Sequence, residues 1–351
     1  MLTRRITLRD VAARAGVHTS TASRAINQHT RSLVDDQTVA RILQAAQELG
    51  YRPNRSALSL RTAKTKTIGV VSDFVASGGF ASQMLSGASA AARSRDHLIV
   101  IGETEGDPAV EAQMIEEMLD RQVDGVIYAT LVTAQVDAAS QLRQSRTVLL
   151  NCVDPEAGLP AVLPDELQGG RSAAAVLLDA GLGARVYVVG EEVNPRAIAG
   201  PLRLEGIEAA LAAAGTSLAG VIPCFWDVEP AYEAVAGWLA KRAIPTAFVC
   251  MNDRIAMGTY QALAGHGQHV PRDVSIVSFD GSDLATWLRP ALTSVRIPYA
   301  ELGALAVHTL LDAEAPPAVL HVPMTLLNGE SVGTPTIGRR TNPSAVRSGG
   351  A

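Results

Sequence analysis

The sequence predicts an α/β protein, in which a small all-α head at the N-terminus is followed by a two-lobed body built on parallel sheets. Three observations support this prediction. The 351 residues exceed the length of one ordinary small domain. Residues up to Gly50 show only helical periodicity. From Thr67 onward, short apolar runs alternate with amphipathic segments, a pattern typical of strands joined by crossover helices.

The first two helices of the head are marked by end signals. Thr7 and Asp10 have the spacing of a capping box, which predicts a helix from Leu8 to Ala15. Gly16 then allows a tight turn, and the stretch "GVHTSTASRAIN" predicts a second helix. Ala22 and Ile26 of this helix are spaced to pack back on the first one.

A third helix is predicted from near Asp35 to Leu49, with Gly50 at its C-cap. Its apolar stripe is expected to consist of Val39, Ile42, Leu43, Ala46 and Leu49. These three helices form a predicted domain over residues 1–52. The following segment "YRPNRSALSLRTAKTKT" contains a proline and five basic residues, and it predicts a linker over residues 53–66 with one short helix from Arg55 to Leu60.

The body is predicted over residues 67–335. Its expected strands are the runs "TIGVVS", "HLIVIG", "DGVIYA", "TVLLN", "RVYVVG", "GVIPCF", "TAFVCM" and "VSIVSF". Eight strands over about 260 residues favour two doubly wound lobes over one sheet. The remaining residues 336–351 have no periodicity, so we expect a disordered tail.

The charge is divided unevenly along the chain. Residues 1–67 hold twelve Lys and Arg against four Asp and Glu, which leaves eighteen basic and thirty-one acidic residues in the remainder. A basic head on an acidic body indicates an anionic polymer as the partner of the head, because binding to phosphates depends on local charge. The alternative is a basic surface that only contacts solvent.

The cysteines, the apolar segments and the absence of enzyme motifs limit the class of protein further. Cys152, Cys224 and Cys250 are widely separated, which favours a reduced, cytoplasmic protein. The N-terminus has no apolar signal region, and no apolar run is long enough to span a membrane. The sequence has no GxSxG, P-loop or HExxH motif, and "HGQH" at residues 266–269 favours a solvated turn over a metal site. We therefore expect neither an enzyme nor a cofactor nor a bound metal.

The second helix has the composition of a DNA-reading helix. Two short helices joined by a glycine turn and braced by a third form a helix-turn-helix, whose second helix enters the major groove. Its polar side chains Thr19, Ser20, Ser23 and Arg24 are short enough, or suitably forked, to reach base edges. The alternative is a surface helix with ordinary polar residues.

The order of motifs along the chain favours the DNA-reading helix over an ordinary surface helix. The N-terminal motifs are "TLRDVAARAGVHTSTASRAIN", "ILQAAQELGYRPN" and "SLRTAKTKTIGVV", and the later ones are "DGVIYA", "RLEGIEAAL", "PTAFVCMND", "VPRDVSIVSFD" and "LRPALTSVRIP". Together they closely resemble the LacI/GalR family of bacterial transcription regulators up to about Pro335. The resemblance implies a body like that of periplasmic sugar-binding proteins.

For the head, the resemblance implies that Thr19, Ser20 and Arg24 read bases, and that Thr21, Ser23 and Asn27 lie on or near phosphates. His18 departs from the capping serine usual in the family, and "NQHTRSLVDD" is two residues longer than is common before the third helix. In the linker, the resemblance implies that Leu60 wedges into the minor groove. The alternative for Leu58 and Leu60 is packing on the next domain.

For the body, the resemblance implies ligand or cleft contacts at Asp73, Arg203, Asn252, Asp253 and Asp280. Carboxylates, an amide and an arginine suit the hydroxyl groups of a polyol. Two aromatic residues, Trp226 and Phe80, are expected to stack on or cover the ligand. The alternatives are a core tryptophan at Trp226 and a helix cap at Asp253.

These features predict a homodimeric repressor, with a tetramer left open, of carbohydrate-utilisation genes. It would bind a palindromic double-stranded DNA operator and be released by a sugar. One alternative is a regulator that needs a purine or nucleoside corepressor. Another is a soluble sugar-binding protein with a vestigial head. The sequence does not identify the effector, the operator or the target genes.

Overall fold

The computed structural model describes residues 6–27, 30–52, 64–76, 82–190, 195–312 and 318–333. The chain forms two compact units, residues 1–65 and residues 66–351. Several predicted features lie outside the described residues: most of the linker with its short helix, Leu58, Leu60, Phe80 and the tail 336–351.

The described part of the first unit contains α1 (Leu8–Ala15), α2 (Thr19–Ile26), a turn of 3-10 helix (Arg31–Leu33) and α3 (Asp36–Glu48). The predicted capping box is confirmed, because the Thr7 amide donates to the Asp10 carboxylate at 2.8 Å and the Asp10 amide donates to Thr7 Oγ1 at 3.4 Å. Gly16 ends α1 with a φ of 65°, a left-handed conformation that glycine adopts without a steric penalty.

The three helices pack around a core of small aliphatic residues. Ala22 is buried as predicted, but Ala25 rather than Ile26 is the second fully buried residue of α2. Leu43 was expected in the stripe of α3, yet it is 37% exposed, and Ala45 is buried instead. With 3.6 residues per turn, Leu43 falls at the edge of the stripe that Val39 and Ile42 define.

The second unit contains two lobes, each built on a six-stranded sheet. The strands of the first lobe are β1 (Thr67–Ser72), β2 (Leu98–Glu103), β3 (Gly125–Gln135), β4 (Thr147–Val153), β5 (Ala161–Pro164) and β11 (Val319–Val322). Their order is β11-β5-β4-β3-β1-β2, and all neighbours are parallel. Its helices are α4 (Ser82–Ser94), α5 (Pro108–Asp120), α6 (Ser140–Arg143) and α12 (Tyr299–Leu311).

The strands of the second lobe are β6 (Val186–Val189), β7 (Gly220–Ile222), β8 (Ala247–Cys250), β9 (Ser275–Asp280), β10 (Thr293–Arg296) and β12 (Thr325–Leu327). Their order is β12-β10-β9-β8-β6-β7, and only the pair β10 and β12 is antiparallel among the described strands. Its helices are α7 (Glu166–Asp179), α8 (Ala199–Ala213), α9 (Val228–Leu239), α10 (Asp253–Gly265) and α11 (Asp283–Trp287).

The chain crosses between the lobes three times within the described residues. It leaves the first lobe after β5, returns after β10 to form α12 and β11, and crosses again to β12. Helix α12 packs against α4, β3, β4 and β5, which places it in the first lobe. The two-lobed α/β architecture with mostly parallel sheets is thus confirmed.

The eight strand segments that the sequence predicts all contain strands. Four strands escaped prediction, namely β5, β10, β11 and β12, each of three or four residues. Such short segments have too few residues to show a period, and their neighbours in the sheet decide their conformation.

Candidate functional site

Helix α2 carries most of the side chains predicted to meet DNA. Thr19, Ser20, Thr21, Ser23 and Arg24 lie within the helix, and Asn27 is its C-cap residue. Ser20 and Arg24 are exposed and four positions apart, so they share one face, and the others are half-buried. Ala22 and Ala25 hold the opposite face against the core.

His18 caps the N-terminus of α2. Its Nδ1 accepts a hydrogen bond from the Ser20 amide at 3.3 Å and lies 2.8 Å from Ser20 Oγ. An imidazole nitrogen therefore takes the capping role of the serine oxygen that is usual in the family. Accepting through Nδ1 requires the tautomer that carries its proton on Nε2.

Two residues that follow α2, Thr30 and Arg31, cap the other end of that helix. Thr30 Oγ1 donates to the carbonyl of Arg24 at 3.1 Å. Arg31 donates through Nε to the carbonyl of Ala25 at 2.9 Å and through Nη2 to that of Ile26 at 3.5 Å. These bonds satisfy carbonyls that a helix end leaves open, and they place a cation at its negative pole.

A second candidate site lies at the carboxyl ends of the strands, where parallel sheets bind ligands. Among the described residues, two buried side-chain polar atoms lack a hydrogen-bond partner, Ser72 Oγ at the end of β1 and Trp226 Nε1 in the segment after β7. They belong to different lobes. Because buried polar groups are normally paired, a polar ligand between the lobes would explain both.

Asp280 ends β9 on the same side of the second lobe. It is half-buried and has a φ of 101°, which residues other than glycine rarely adopt and which recurs at binding sites. Burial, together with the nearby charge of Asp253, raises the pKa of Asp280 to about 8, against the lowering effect of Arg203. A carboxyl group in this state is suited to exchange hydrogen bonds with hydroxyl groups.

A cavity of about 500 Å³ opens beside Asp280. It is lined by Gln83 from the first lobe and by residues of the second lobe that include Asp227, Arg254, Asp283 and Arg296. Tyr299, at the start of α12, also lines it, and burial and the charge of Asp280 raise the pKa of its phenol. Sequence reasoning missed Tyr299, since nothing in its local pattern distinguishes it from a core residue.

Asp73 follows β1, and its side chain accepts hydrogen bonds from other residues of the first lobe. Its Oδ1 accepts from the Phe74 amide at 2.5 Å and from the Leu131 amide at 2.8 Å, so it joins the end of β1 to the irregular part of β3. Burial raises the pKa of Asp73. The predicted ligand contact of Asp73 stays a prediction.

Asn252 and Asp253 each bond other residues of the second lobe, and the predicted ligand contact of Asn252 stays a prediction. Asn252, not Asp253, caps α10, and its Nδ2 donates to the carbonyl of Trp226 at 3.3 Å. Asp253 is fully buried and accepts from the hydroxyls of Ser278, Ser282 and Ser294 and from the Ser282 amide. A direct ligand contact of Asp253 is not supported, because four donors already occupy its oxygens.

Arg203 is 2% exposed and is paired inside the protein. Its Nε and Nη2 donate to the two oxygens of Glu166 at 2.7 and 3.0 Å, and its Nη1 donates to the carbonyl of Met251 at 2.6 Å. The guanidinium lies over Phe279, 4.6 Å from the ring centroid, and 5.6 Å from that of Trp226. A carboxylate thus occupies the guanidinium fork of Arg203, and the predicted ligand contact of Arg203 stays a prediction.

Glu166 belongs to a buried chain of hydrogen-bonded side chains, which the sequence did not reveal. Thr133 Oγ1 donates to Glu166 Oε1 at 3.2 Å and to Asn151 Oδ1 at 2.8 Å. Asn151 Nδ2 donates to the carbonyls of Thr130 and Leu131, both at 3.0 Å. This chain joins the first turn of α7 in the second lobe to β3 and β4 in the first, beside the first crossing.

Both histidines of the "HGQH" segment have polar neighbours. His266 Nδ1 bonds the carbonyl of Ala262, and His269 Nδ1 lies 2.7 Å from an Arg272 nitrogen. No cluster of His, Cys, Asp or Glu suited to a metal ion occurs in the described part of the chain. In that same part, no helix has the length and apolar composition needed to cross a bilayer.

Comparison with known proteins covers both units. Residues 7–54 match bacterial regulatory proteins of the lacI family, and residues 174–332 match the periplasmic binding protein-like domain. The chain is 30% identical over 311 residues to the ribose operon repressor of Haemophilus influenzae, across 87% of this chain and 91% of that protein. It is 29% identical, over the same shares, to the HTH-type transcriptional repressor PurR of Photobacterium profundum.

The fold also matches solved structures. The lac repressor dimer bound to operator and the anti-inducer ONPF superposes with a TM-score of 0.78 at 22% identity, over 94% of this chain and all of that one. At this identity the likeness concerns the fold alone.

Proposed function

The chain belongs to the lacI family of bacterial regulatory proteins, and from that premise we propose that it is a sequence-specific DNA-binding repressor of carbohydrate-utilisation genes, released from its operator by a sugar. In this proposal Thr19, Ser20 and Arg24 read bases. Thr21, Ser23 and Asn27 lie at phosphates, and Leu60 wedges into the minor groove. The protein acts as a homodimer on a palindromic operator.

The exposed face of α2 supports the DNA-binding half. Ser20 and Arg24 project from a helix that is capped at both ends, so little conformational freedom is lost when it enters a groove. The basic excess of residues 1–67 adds attraction to phosphates. Arg24 can pair with guanine O6 and N7, an interaction that discriminates by about 1–3 kcal/mol.

Two buried polar atoms without partners, Ser72 Oγ and Trp226 Nε1, support the proposal that the protein binds a sugar effector. A sugar that bonds Ser72 in the first lobe and Trp226 in the second satisfies two polar atoms that are otherwise buried without partners, and Asp280 can bond a further hydroxyl group. The same ligand bridges the lobes, so its binding favours one separation of them. Ribose is the first sugar to test, because relatives at 30% identity are named ribose operon repressors.

The experiment for the DNA-binding half compares two arginine variants. An operator is first selected from random duplexes with the wild-type protein. We expect Arg24→Ala to lose about 10- to 100-fold in discrimination at one base pair of each half-site, because a bidentate contact is removed. Arg41→Ala, which removes the same charge from α3, should weaken all sequences alike. Full discrimination by Arg24→Ala would refute the base-reading role.

A second candidate is a regulator that a purine or nucleoside corepressor activates, and the similarity to a PurR repressor favours it. The sign of the ligand effect separates the two candidates. A sugar effector weakens operator binding, whereas a corepressor strengthens it. Titrating operator affinity with ribose and with guanine therefore decides between them.

A further inference from the structure

We infer that Glu166 sets the charge class of the effector: by filling the guanidinium fork of Arg203, it reserves the cleft for uncharged polyols and excludes sugar acids and sugar phosphates. This inference rests on the proposed function, since it specifies which sugars the same site accepts. It assigns a specificity-determining role to a residue that sequence reasoning passed over.

Arg203 lies near enough to the candidate site to interact with the charge of Asp280, although it does not line the cavity itself. It stacks on Phe279, the neighbour of Asp280 in the chain, and it bonds the carbonyl of Met251, the neighbour of Asn252. An arginine in this position is a ready receptor for a carboxylate or phosphate, because its fork matches two oxygens at once. Glu166 supplies that pair of oxygens at 2.7 and 3.0 Å, so the receptor is already occupied.

Glu166 is held in place by its own surroundings. Its side chain is fully buried, and Thr133 Oγ1 also donates to it. Helices α7 and α8 approach so closely that a Cβ atom on Gly170 would lie 2.1 Å from the carbonyl oxygen of Arg203. An anionic ligand would therefore have to displace a carboxylate that is fixed by packing and by hydrogen bonds on both oxygens.

The other cations beside the cavity are also paired. Arg254 lies 3.4 Å from Asp227, and Arg296 lies 2.9 Å from Glu301. The arginines that line the cavity thus already have counter-ions, and Asp280 lies near a second carboxylate, that of Asp253, so an anionic ligand would be repelled there. Hydroxyl groups meet no such penalty, since they donate to carboxylates and accept from the indole N–H.

The test uses matched ligands that differ in charge. Binding of ribose, ribonate and ribose 5-phosphate is measured by calorimetry, alongside glucose, gluconate and glucose 6-phosphate. We expect the wild-type protein to bind a neutral sugar at least about tenfold more tightly than its acid or phosphate. Binding of an anionic member as tightly as its neutral counterpart would overturn the inference.

Two variants test the assignment to Glu166. Glu166→Gln should reduce the preference for the neutral sugar at least about tenfold, because Arg203 then lacks a counter-charge. Glu205→Gln is the matched control, since it removes one acidic charge from an exposed position of α8 that does not line the cavity, and it should keep the preference. An unchanged preference in Glu166→Gln would contradict the role of Glu166.

A chemical rescue separates this inference from the proposed function. In Glu166→Ala, formate should occupy the vacated fork and raise the melting temperature more than equal concentrations of chloride do, and it should have no such effect on the wild-type protein. If no sugar binds the wild-type protein but formate rescues the variant, the sugar effector fails while the occupied fork stands. If formate gives no rescue, Glu166 does not fill an anion receptor and the inference fails.

Discussion

Asp253 and Asp280 show how surroundings give one residue type two roles. Both lie in the second lobe at the carboxyl ends of its strands, and burial raises the pKa of each. Asp253 is surrounded by four donors from three serines, so it ties α10 to β9 and β10. Asp280 faces the cavity, and a hydrogen bond from the Asp253 amide lowers its pKa by less than burial raises it.

The raised pKa of Asp280 predicts how stability depends on pH. Between about pH 4 and pH 8 the folded protein keeps a proton on Asp280 that the unfolded chain has lost, so its contribution to stability falls as pH rises through this range. At pH 9 the free energy of unfolding of Asp280→Asn should therefore exceed that of wild type by about 1–3 kcal/mol, so the variant unfolds at a higher urea concentration. At pH 4 the two proteins should differ little.

The fluorescence of the three tryptophans measures this effect, because Trp226, Trp238 and Trp287 all lie in the second unit. Asp283→Asn, at an exposed position beside the same cavity, serves as the control and should change stability by less than about 0.5 kcal/mol. A difference between Asp280→Asn and wild type that is the same at pH 4 and pH 9 would contradict the assigned protonation.

At the scale of elements, α2 has only eight residues and depends on its ends. Isolated helices of this length are unstable, so packing and capping must hold it in shape. His18 provides the N-terminal acceptor, and Thr30 and Arg31 satisfy its last three carbonyls. His18 before the helix and Thr30 and Arg31 after it thus act together to order α2.

This arrangement predicts the effect of changing the cap. His18→Ala should destabilise α2 by about 1 kcal/mol, because the Ser20 amide loses its acceptor, whereas His18→Ser should restore most of that loss. Hydrogen exchange of the peptide that covers residues 16–27 in the full-length protein reports the difference. Equal exchange in wild type and His18→Ala would show that the imidazole is not a functional cap.

At the scale of the whole molecule, the two lobes of the second unit are the parts between which the proposed ligand binds. Three short crossings join them, and the polar chain from Arg203 through Glu166 and Thr133 to Asn151 runs beside the first crossing. A ligand bound between the lobes can change their separation by differential contact with each lobe. Coupling to DNA then follows from linkage between the two binding events.

Linkage makes a reciprocal prediction. A sugar that favours the DNA-free state by about 3 kcal/mol weakens operator binding about a hundredfold, and operator DNA must weaken sugar binding by the same factor. Calorimetric titration of the sugar, with and without a saturating operator duplex, measures this change in sugar affinity. In Asp280→Ala the sugar should no longer weaken operator binding. Tighter sugar binding in the presence of operator would exclude release by the sugar and favour a corepressor.

Much of the fold and part of the site could be predicted from the sequence. The capping box of α1, the strand segments and the polar face of α2 depend on residues within a few positions of one another, so local patterns reveal them. The motif order identified the family, and it pointed correctly to strand ends as the location of Asp73 and Asp280.

Only the tertiary structure decided which of those side chains remain available to a ligand. Glu166 and Arg203 are 37 positions apart, and the serines around Asp253 lie 25 to 41 positions beyond it. Such contacts arise when helices and strands pack, and no local period records them. The sequence by itself thus determined the kind of protein and its elements. Packing decided that Arg203 is neutralised, that Asp253 is structural and that Asp280 faces the cleft.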